Sequence, residues 1–437
     1  SNEDALLNAA DNFLMKHESF RPKAYQIKMK DGTLGNPTIG YGFEFYGDEQ
    51  TRVKMGETIT KEEAKPLLRQ KTTAIHNFLK KYPTYNKMSD REKFLEQIMS
   101  YLEPEETELE GRGKELEINA PVTGAVTIPE AVVAGFGDGT VRFFRSDETP
   151  KIINAHNGVV LSIATNGSEV FTGGDDGRFL QISPDGTIKE IASFGNRWVD
   201  TVAATKDSIV CSSGKNAYLW SSGNTKEKIL EHTSTIGGMA FDRSGKRLAV
   251  ASYGGVTLWE KGNRRWKSSR LVWKGSHSKV SFSPDGKYIV TTMQESELHG
   301  WRIRDKVDLA MRGYPAKIKS FAWVGDIPHL ATAGDHQAIC WPFDGKDGPL
   351  GREPVCVADC GKKISTFIEP LTGEKAIFVG FNDGTVLLSE VDDRKNPFVV
   401  RNPKGYEISA ISLSSDRSYI LIGDLGGNIL WSPLWAN

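Results

Sequence analysis

Short apolar runs separated by turn residues repeat along the last three quarters of the chain. In five of them a Trp closes the run, at spacings of 39, 42, 40 and 90 residues, the last being two units of 45. These are YLW (Trp220), TLW (Trp259), HGW (Trp301), ICW (Trp341) and ILW (Trp431). Turns such as GDGT, DDGR, NDGT and LGGN supply the positive φ values of two-residue hairpins. A period near 40 with four short strands per unit predicts a β-propeller, in which each unit is one radial blade.

The number of blades follows from the number of first strands. We count eight, beginning near residues 122, 159, 200, 236, 279, 318, 364 and 408. The sequence therefore predicts eight blades, with seven as the alternative if one unit is an elaborated loop. The last unit stops after its third strand, and ELEINA at 115–120 resembles the fourth strand of the first unit, KIINAH. We expect ELEINA to complete the last blade and close the ring, which leaves no open sheet edge.

Residues 118–437 resemble the WD-repeat family, although the Trp-Asp pair itself is absent. The turn histidine of that family has matches at His156, His232 and His277, which we expect to be hydrogen-bonded inside the blades rather than bound to metal. The resemblance implies a binding platform. Its partner would be a protein or peptide on one face of the propeller or in its central channel.

Residues 1–102 follow a different pattern, typical of a small α+β lobe. The apolar residues of EDALLNAADNFLMKHE lie on one helical face, and a Gly-rich hairpin region follows at 25–43. Two further helices are predicted, each begun by a capping box, at Thr60 with Glu63 and at Ser89 with Glu92.

Four ordered blocks in this lobe resemble the phage-type lysozyme (endolysin) family: HESFRPKAY at 17–25, TIGYGFE at 38–44, MGETITKEEAKPLL at 55–68 and MSDREKFLEQIMSY at 88–101. The resemblance implies a glycosidase that acts on peptidoglycan. Glu18 matches the general acid of the family, and Thr38 matches the residue that helps to hold the attacking water. The usual position of the family's Asp is occupied by Ile27, so Asp31 is the candidate for the second carboxylate. The alternative is that KDGT around Asp31 is only a turn.

The lysozyme-like blocks stop where the family continues with further helices. EPEETELEGRGKELE, residues 103–117, carries seven Glu and few apolar residues, and it predicts a solvated acidic linker. The propeller would cover the incomplete lobe, or the lobe would be a remnant used for interaction, or the chain would be an artificial join. The expected function is therefore a propeller platform joined to a lysozyme-like glycosidase. The alternative is a non-enzymatic WD-repeat scaffold with an inactive or artificially fused lobe.

Charge and composition limit the classes of partner. A net charge of −1 gives no reason to expect nucleic acid, and no apolar run reaches 18 residues, so no membrane span is expected. The four cysteines, Cys211, Cys340, Cys356 and Cys360, lack metal or redox spacing and are predicted to be buried small side chains. No cofactor is expected. Unpaired cysteines and no visible signal peptide favour the cytoplasm, whereas an active lysozyme-like lobe would require the periplasm or cell wall.

One stretch of the propeller combines basic and aromatic residues, KGNRRWKSSRLVWKG at 261–275. Its candidate partner-binding residues are Arg264, Arg265, Trp266, Lys267 and Arg270. They would hold an anionic partner or stack on a base. The alternative is an outer strand whose long basic side chains are simply solvated.

Overall fold

The computed structural model describes residues 2–17, 20–25, 38–41, 43, 45–46, 51–55, 57–80, 93, 106–326, 328–392 and 397–435. The chain divides into two compact units, Ser1–Glu105 and Glu106–Asn437. Each unit has its own apolar core.

The first unit is the predicted mixture of helices and short strands. Its elements are α1 (Asn2–His17), β1 (Arg21–Tyr25), β2 (Thr38–Gly40), β3 (Phe45–Tyr46), β4 (Thr51–Arg52) and α2 (Lys61–Leu79). The predicted capping box is present before α2, since the Glu63 carboxylate accepts from the Thr60 N–H at 2.8 Å and Thr60 Oγ1 accepts from the Glu63 N–H. The box at Ser89 lies outside the described residues.

The second unit is a β-propeller built from antiparallel sheets. It begins with α3 (Glu108–Arg112) and β5 (Lys114–Glu117). The next three sheets are β6 (Val122–Ile128), β7 (Ala131–Phe136), β8 (Thr140–Phe144) and β9 (Lys151–Asn154); β10 (Val160–Thr165), β11 (Val170–Gly174), β12 (Arg178–Ile182) and β13 (Ile188–Ser193); β14 (Val202–Ala204), β15 (Ser208–Ser213), β16 (Asn216–Ser221) and β17 (Lys228–Glu231). A six-stranded sheet follows, with β18 (Gly238–Phe241), β19 (Arg247–Lys261), β20 (Trp266–Phe282), β21 (Tyr288–Met293), β22 (Leu298–Arg302) and β23 (Val307–Met311). The last sheets are β24 (Phe321–Val324), β25 (His329–Thr332), β26 (Ala338–Pro342) and β27 (Val355–Val357); β28 (Ser365–Pro370), β29 (Ala376–Phe381), β30 (Val386–Glu390) and β31 (Phe398–Arg401); β32 (Ile408–Leu413), β33 (Tyr419–Asp424) and β34 (Asn428–Pro433) with β5.

Counted as sheets, the propeller has seven blades and not the eight that the sequence predicts. The difference lies in the six-stranded sheet, which contains the strands of two sequence units. β20 runs without a break from the outer strand of one unit into the first strand of the next, pairing with β19 through 266–276 and with β21 through 277–282. β19 bends at Gly254 and Gly255, whose φ values are 88° and 135°, so glycine is required there. No unit has become a loop.

Residues 106–117 are not the solvated linker that their composition predicts. They form α3 and β5, and β5 pairs antiparallel with β34, Leu116 lying opposite Ile429. Leu109 of α3 is buried in the core of the last two sheets. The linker prediction was wrong because the hydrogen-bond partners of Thr107 and Glu110 are Val400 and Asn402, about 290 positions away in the chain.

Apolar clusters join each sheet to its neighbours. One contains Val132 and Phe144 of the first sheet together with Leu421 and Trp431 of the last. Another lies inside the six-stranded sheet, where Trp301 packs against the half that contains β19. A single four-stranded sheet cannot bury both of its faces alone. Stacking against the adjacent sheets covers the faces that would otherwise be exposed to water. Trp431 thus packs between the last sheet and the first, and Trp301 packs between the two halves of the six-stranded sheet.

The cysteines depart in part from expectation. Cys211 and Cys340 are buried, but Cys356 is exposed and Cys360 is half-buried. Burial raises the pKa of the Cys360 thiol to about 11, so this thiol stays protonated at neutral pH. Among the described residues, no helix has the length and apolar character that a membrane span requires.

Histidine side chains of the propeller form hydrogen bonds in their neutral form. His277 is buried, with Nδ1 at 2.7 Å from Thr291 Oγ1 and Nε2 at 2.9 Å from the Trp273 carbonyl oxygen. That carbonyl only accepts, so Nε2 carries the proton and Nδ1 accepts from the hydroxyl. Burial holds the pKa of His277 below its ordinary value. His156 likewise contacts Asp176 and Thr172, and His232 accepts from Trp259 Nε1, so the prediction that these histidines bond within the blades is confirmed.

We predict that His277 makes the propeller less stable at acid pH. Because its folded-state pKa lies below that of the unfolded chain, its contribution is present above about pH 6.5 and is lost as the pH falls through the folded-state pKa. All ten Trp lie at or beyond residue 198, so Trp fluorescence follows the propeller alone. The free energy of unfolding should fall less between pH 7.5 and 5.5 in His277→Gln than in the wild type. Parallel slopes would contradict this prediction.

A buried ion pair links the last two sheets. Arg401 Nη2 donates to Asp424 Oδ2 at 2.9 Å, and its Nη1 donates to the Gly384 carbonyl oxygen at 2.8 Å. The other carboxylate oxygen of Asp424 accepts from the N–H groups of Gly426 and Asn428. Both charged side chains are almost completely buried.

Asp424→Asn should destabilise the propeller by about 3–5 kcal/mol, because it leaves the Arg401 charge buried without a counter-charge. Glu190→Gln is the matched control, since Glu190 pairs with Arg178 at 2.7 Å on the exposed surface. Its cost should stay below about 1 kcal/mol. Both values come from denaturant titration followed by Trp fluorescence. Equal costs for the two variants would show that the buried pair has no special role.

Candidate functional site

The predicted catalytic residues are Glu18, Asp31 and Thr38, and the elements described next to them in the chain are α1, β1 and β2. Glu18 directly follows the end of α1 at His17 but lies outside the described residues, as does Asp31. Thr38 is described by its backbone only; it opens β2 and lies opposite Tyr25 of β1. The order of helix, β1 and β2 therefore agrees with the predicted hairpin.

Aromatic side chains form the floor of this hairpin. The rings of Phe20 and Tyr41 lie 5.3 Å apart between centroids, and those of Tyr41 and Phe43 lie 6.5 Å apart in an edge-on arrangement. Tyr41 and Phe43 are buried with Ala10 and Leu14 of α1. Both rings therefore pack the hairpin region against α1.

A polar network holds α1 against α2, and sequence reasoning missed it. Thr72 Oγ1 donates to Asp11 Oδ1 at 2.7 Å in a buried position. Arg69 donates from Nε to the other Asp11 oxygen, and from Nη2 to Asn8. The only signal was a carboxylate on the otherwise apolar stripe of α1. This network fixes the helix that leads into Glu18.

The residues of the basic stretch at 261–275 lie in different environments in the structure. Arg264 and Arg265 are exposed on the turn between β19 and β20, and Lys267 is exposed on the following strand. Trp266 is buried in the core with Ile236 and Met239. Its ring is therefore not available for stacking on a base.

Arg270 lies away from that turn. It donates from Nη1 to Thr257 Oγ1 at 2.8 Å, four residues along β20 from Trp266. At about 3.4 Å per residue, Arg270 lies roughly 14 Å along the strand from Trp266. The turn between β19 and β20 is thus a compact group of cations without an aromatic face. Over the ranges given above, no cluster of three or more His, Cys, Asp or Glu side chains would hold a metal ion.

Comparison with known proteins adds to this geometry. Residues 15–93 match the family model of phage lysozyme. That span includes Glu18, Asp31 and Thr38, so the N-terminal region is lysozyme-like. A search of curated proteins gives no match.

One solved structure has a similar fold to much of this chain. The crystal structure of the computationally designed Ika8 protein, in its first crystal packing in P63, has a TM-score of 0.59 to this chain at 16% identity. The likeness covers 73% of this chain and 98% of that one. At this identity it shows the fold alone.

We predict that Asp11→Ala destabilises the first unit by about 1.5–3 kcal/mol, since it removes the acceptor of a charge-assisted network. Ellipticity at 222 nm reports on helices, of which α1 and α2 are the longest among the described residues, because the described part of the propeller is almost entirely strand. That transition should move to lower temperature while the Trp fluorescence transition does not. The control is Lys65→Ala, an exposed position on α2 that should change stability by less than about 0.5 kcal/mol. An unshifted ellipticity transition would refute the assignment.

Proposed function

We propose that this chain is a lysozyme-like peptidoglycan glycosidase lobe joined to a WD-repeat-type propeller that binds a protein or peptide. The observation that carries the enzymatic part is the phage lysozyme match over residues 15–93, which spans the three predicted catalytic positions. The packed helix α1 and the β1–β2 pair support it.

Each catalytic residue has a distinct role in this proposal. Glu18 protonates the glycosidic oxygen, for which it must stay protonated near neutral pH. Asp31 supplies the second carboxylate that glycoside hydrolysis generally needs. Thr38, at the start of β2, helps to hold the attacking water.

The platform role rests on exposed apolar side chains at one end of the propeller. Strands alternate in direction, so the turns between second and third strands and the connections between sheets lie at the same end. Trp198, Tyr253, Tyr406 and Leu425 occupy such positions and are 56%, 58%, 52% and 45% exposed. A Cβ at Gly426 would lie 2.6 Å from the Tyr406 ring, so Tyr406 lies against the turn that carries Leu425. Tyr406 and the Leu425 turn therefore adjoin, and exposed apolar residues that lie together are typical of interaction surfaces.

We further propose that β5 closes the ring of sheets. Its pairing with β34 supports this, as do two hydrogen bonds between the last and first sheets. Ser409 Oγ donates to the Val122 carbonyl oxygen at 2.6 Å, and Thr127 Oγ1 donates to that of Leu413 at 2.6 Å. A closed ring gives a binding platform a rigid face.

The second candidate function is a non-enzymatic scaffold whose lobe is an inactive remnant or an artificial fusion. It is favoured by one observation: the lysozyme match ends at residue 93, and the propeller unit begins at Glu106. Little chain is left between them for the further helices of the family.

Clearing of a purified peptidoglycan suspension separates the two functions. The wild type should clear it, and Glu18→Gln should be at least about a hundredfold slower, because a general acid typically contributes 10²–10⁴. Glu62→Gln, an exposed carboxylate on α2, is the control and should match the wild type. If the folded wild type fails to clear, the scaffold function is correct and the glycosidase proposal is wrong.

A further inference from the structure

Three turns of the six-stranded sheet form a cavity of about 680 Å³ at the end of the propeller opposite to the exposed aromatic residues. The turn at 242–247, between β18 and β19, and the turn at 284–286, before β21, line it. Lys261 also lines it, at the start of the β19–β20 turn. The Lys261 N–H donates to the Lys246 carbonyl oxygen at 2.8 Å, which brings the first and third of these segments together.

One wall of the cavity is fixed by Arg247. Its Nε donates to Asp242 at 2.9 Å, and its Nη2 donates to the Gly286 carbonyl oxygen at 2.8 Å. The guanidinium also lies 4.9 Å from the centre of the Phe282 ring. Arg247 and Asp242 therefore neutralise each other and join the two turns into a rigid edge.

The remaining cations at this edge are not paired. Arg243, Lys246, Lys261, Arg264 and Arg265 are all exposed, and within the described ranges none of them has an ion-pair partner. The fixed geometry of the turn helps to keep them together, since the Gly262 N–H donates to the Arg265 carbonyl oxygen at 2.9 Å. Five like charges on adjoining turns repel each other, and a negative partner would relieve that repulsion.

The nearby carboxylates offset only part of this charge, since Asp285 in the lining of the cavity opposes one of the five cations. Glu260 lies directly opposite Lys267 in the β19–β20 register, so its charge has a neighbouring cation. Asp285 accepts from Ser283 Oγ at 2.6 Å and from the Lys287 N–H within its own turn. The edge keeps a local positive excess although the whole chain has a net charge of −1.

We propose that this basic edge, formed by Arg243, Lys246, Lys261, Arg264 and Arg265, binds an acidic peptide segment. Carboxylates are favoured over a single-stranded nucleic acid because Trp266, the aromatic residue beside the turn, is buried and presents no ring for base stacking. The proposal rests on the platform role above and names the chemistry of a partner. It uses a different end of the propeller from Trp198 and Tyr406.

Fluorescence anisotropy with a labelled oligoglutamate peptide tests the proposal on the full chain. The peptide should bind at low salt, and binding should weaken as NaCl is added. The double variant Arg264→Glu/Arg265→Glu should weaken it at least about tenfold, which corresponds to about 1.4 kcal/mol. The control Lys189→Glu/Lys215→Glu makes the same change of net charge at exposed positions on two other sheets and should stay within about twofold of the wild type.

Three results would overturn the proposal: no binding of oligoglutamate, equal weakening by both double variants, or tighter binding of a labelled oligothymidine than of oligoglutamate. Trp fluorescence confirms that each variant is folded. Peptidoglycan clearing by the same variants should be unchanged, so failure of peptide binding and failure of the glycosidase proposal give different results.

Discussion

The pairing of β5 with β34 is the constraint on which the second unit depends. The last sheet receives only three strands from its own end of the chain, and its fourth strand comes from residues 114–117. Without that strand, β34 would expose a row of unpaired backbone groups. The segment before β5 secures it. Glu110 is 4% exposed and accepts from the Asn402 N–H at 2.8 Å, while Thr107 Oγ1 donates to the Val400 carbonyl oxygen at 2.7 Å.

The same contacts place the acidic segment in the second unit from Glu106 onward. Thr107 and Glu110 form hydrogen bonds with residues of β31 and the segment after it. The C-terminal half of the acidic segment is therefore an ordered part of the propeller. The charge of Glu110 is satisfied by hydrogen bonds and by Thr107 of its own capping box. The propeller is stabilised by apolar clusters between sheets and by a few buried polar contacts, such as Arg401 with Asp424.

Local features of the sequence predicted the repeat fold well. Each hairpin is specified by Asp-Gly or Gly-Gly turns, by Trp at the strand ends and by apolar alternation. All of these signals lie within about ten residues of one another, so they can be recognised in the sequence. The division into sheets was harder, because the continuity of β20 depends on backbone geometry near Gly275 that no local pattern records. The burial of Trp266 depended on which face of β20 meets the core. The partners of Glu110 were unpredictable because they lie about 290 residues away. For the candidate catalytic site, resemblance named Glu18, Asp31 and Thr38, whereas the Asp11 network required the packing of α1 on α2.

The most direct test of this account is hydrogen–deuterium exchange across residues 106–118 in the full chain. If α3 and β5 belong to the propeller, amides that bond to it, such as that of Ile118 with the Gly427 carbonyl oxygen at 2.9 Å, should exchange as slowly as those of β34. Exchange at the rate of an unstructured acidic linker would contradict the account. Residues 103–117 would then be the solvated acidic linker that their composition predicts.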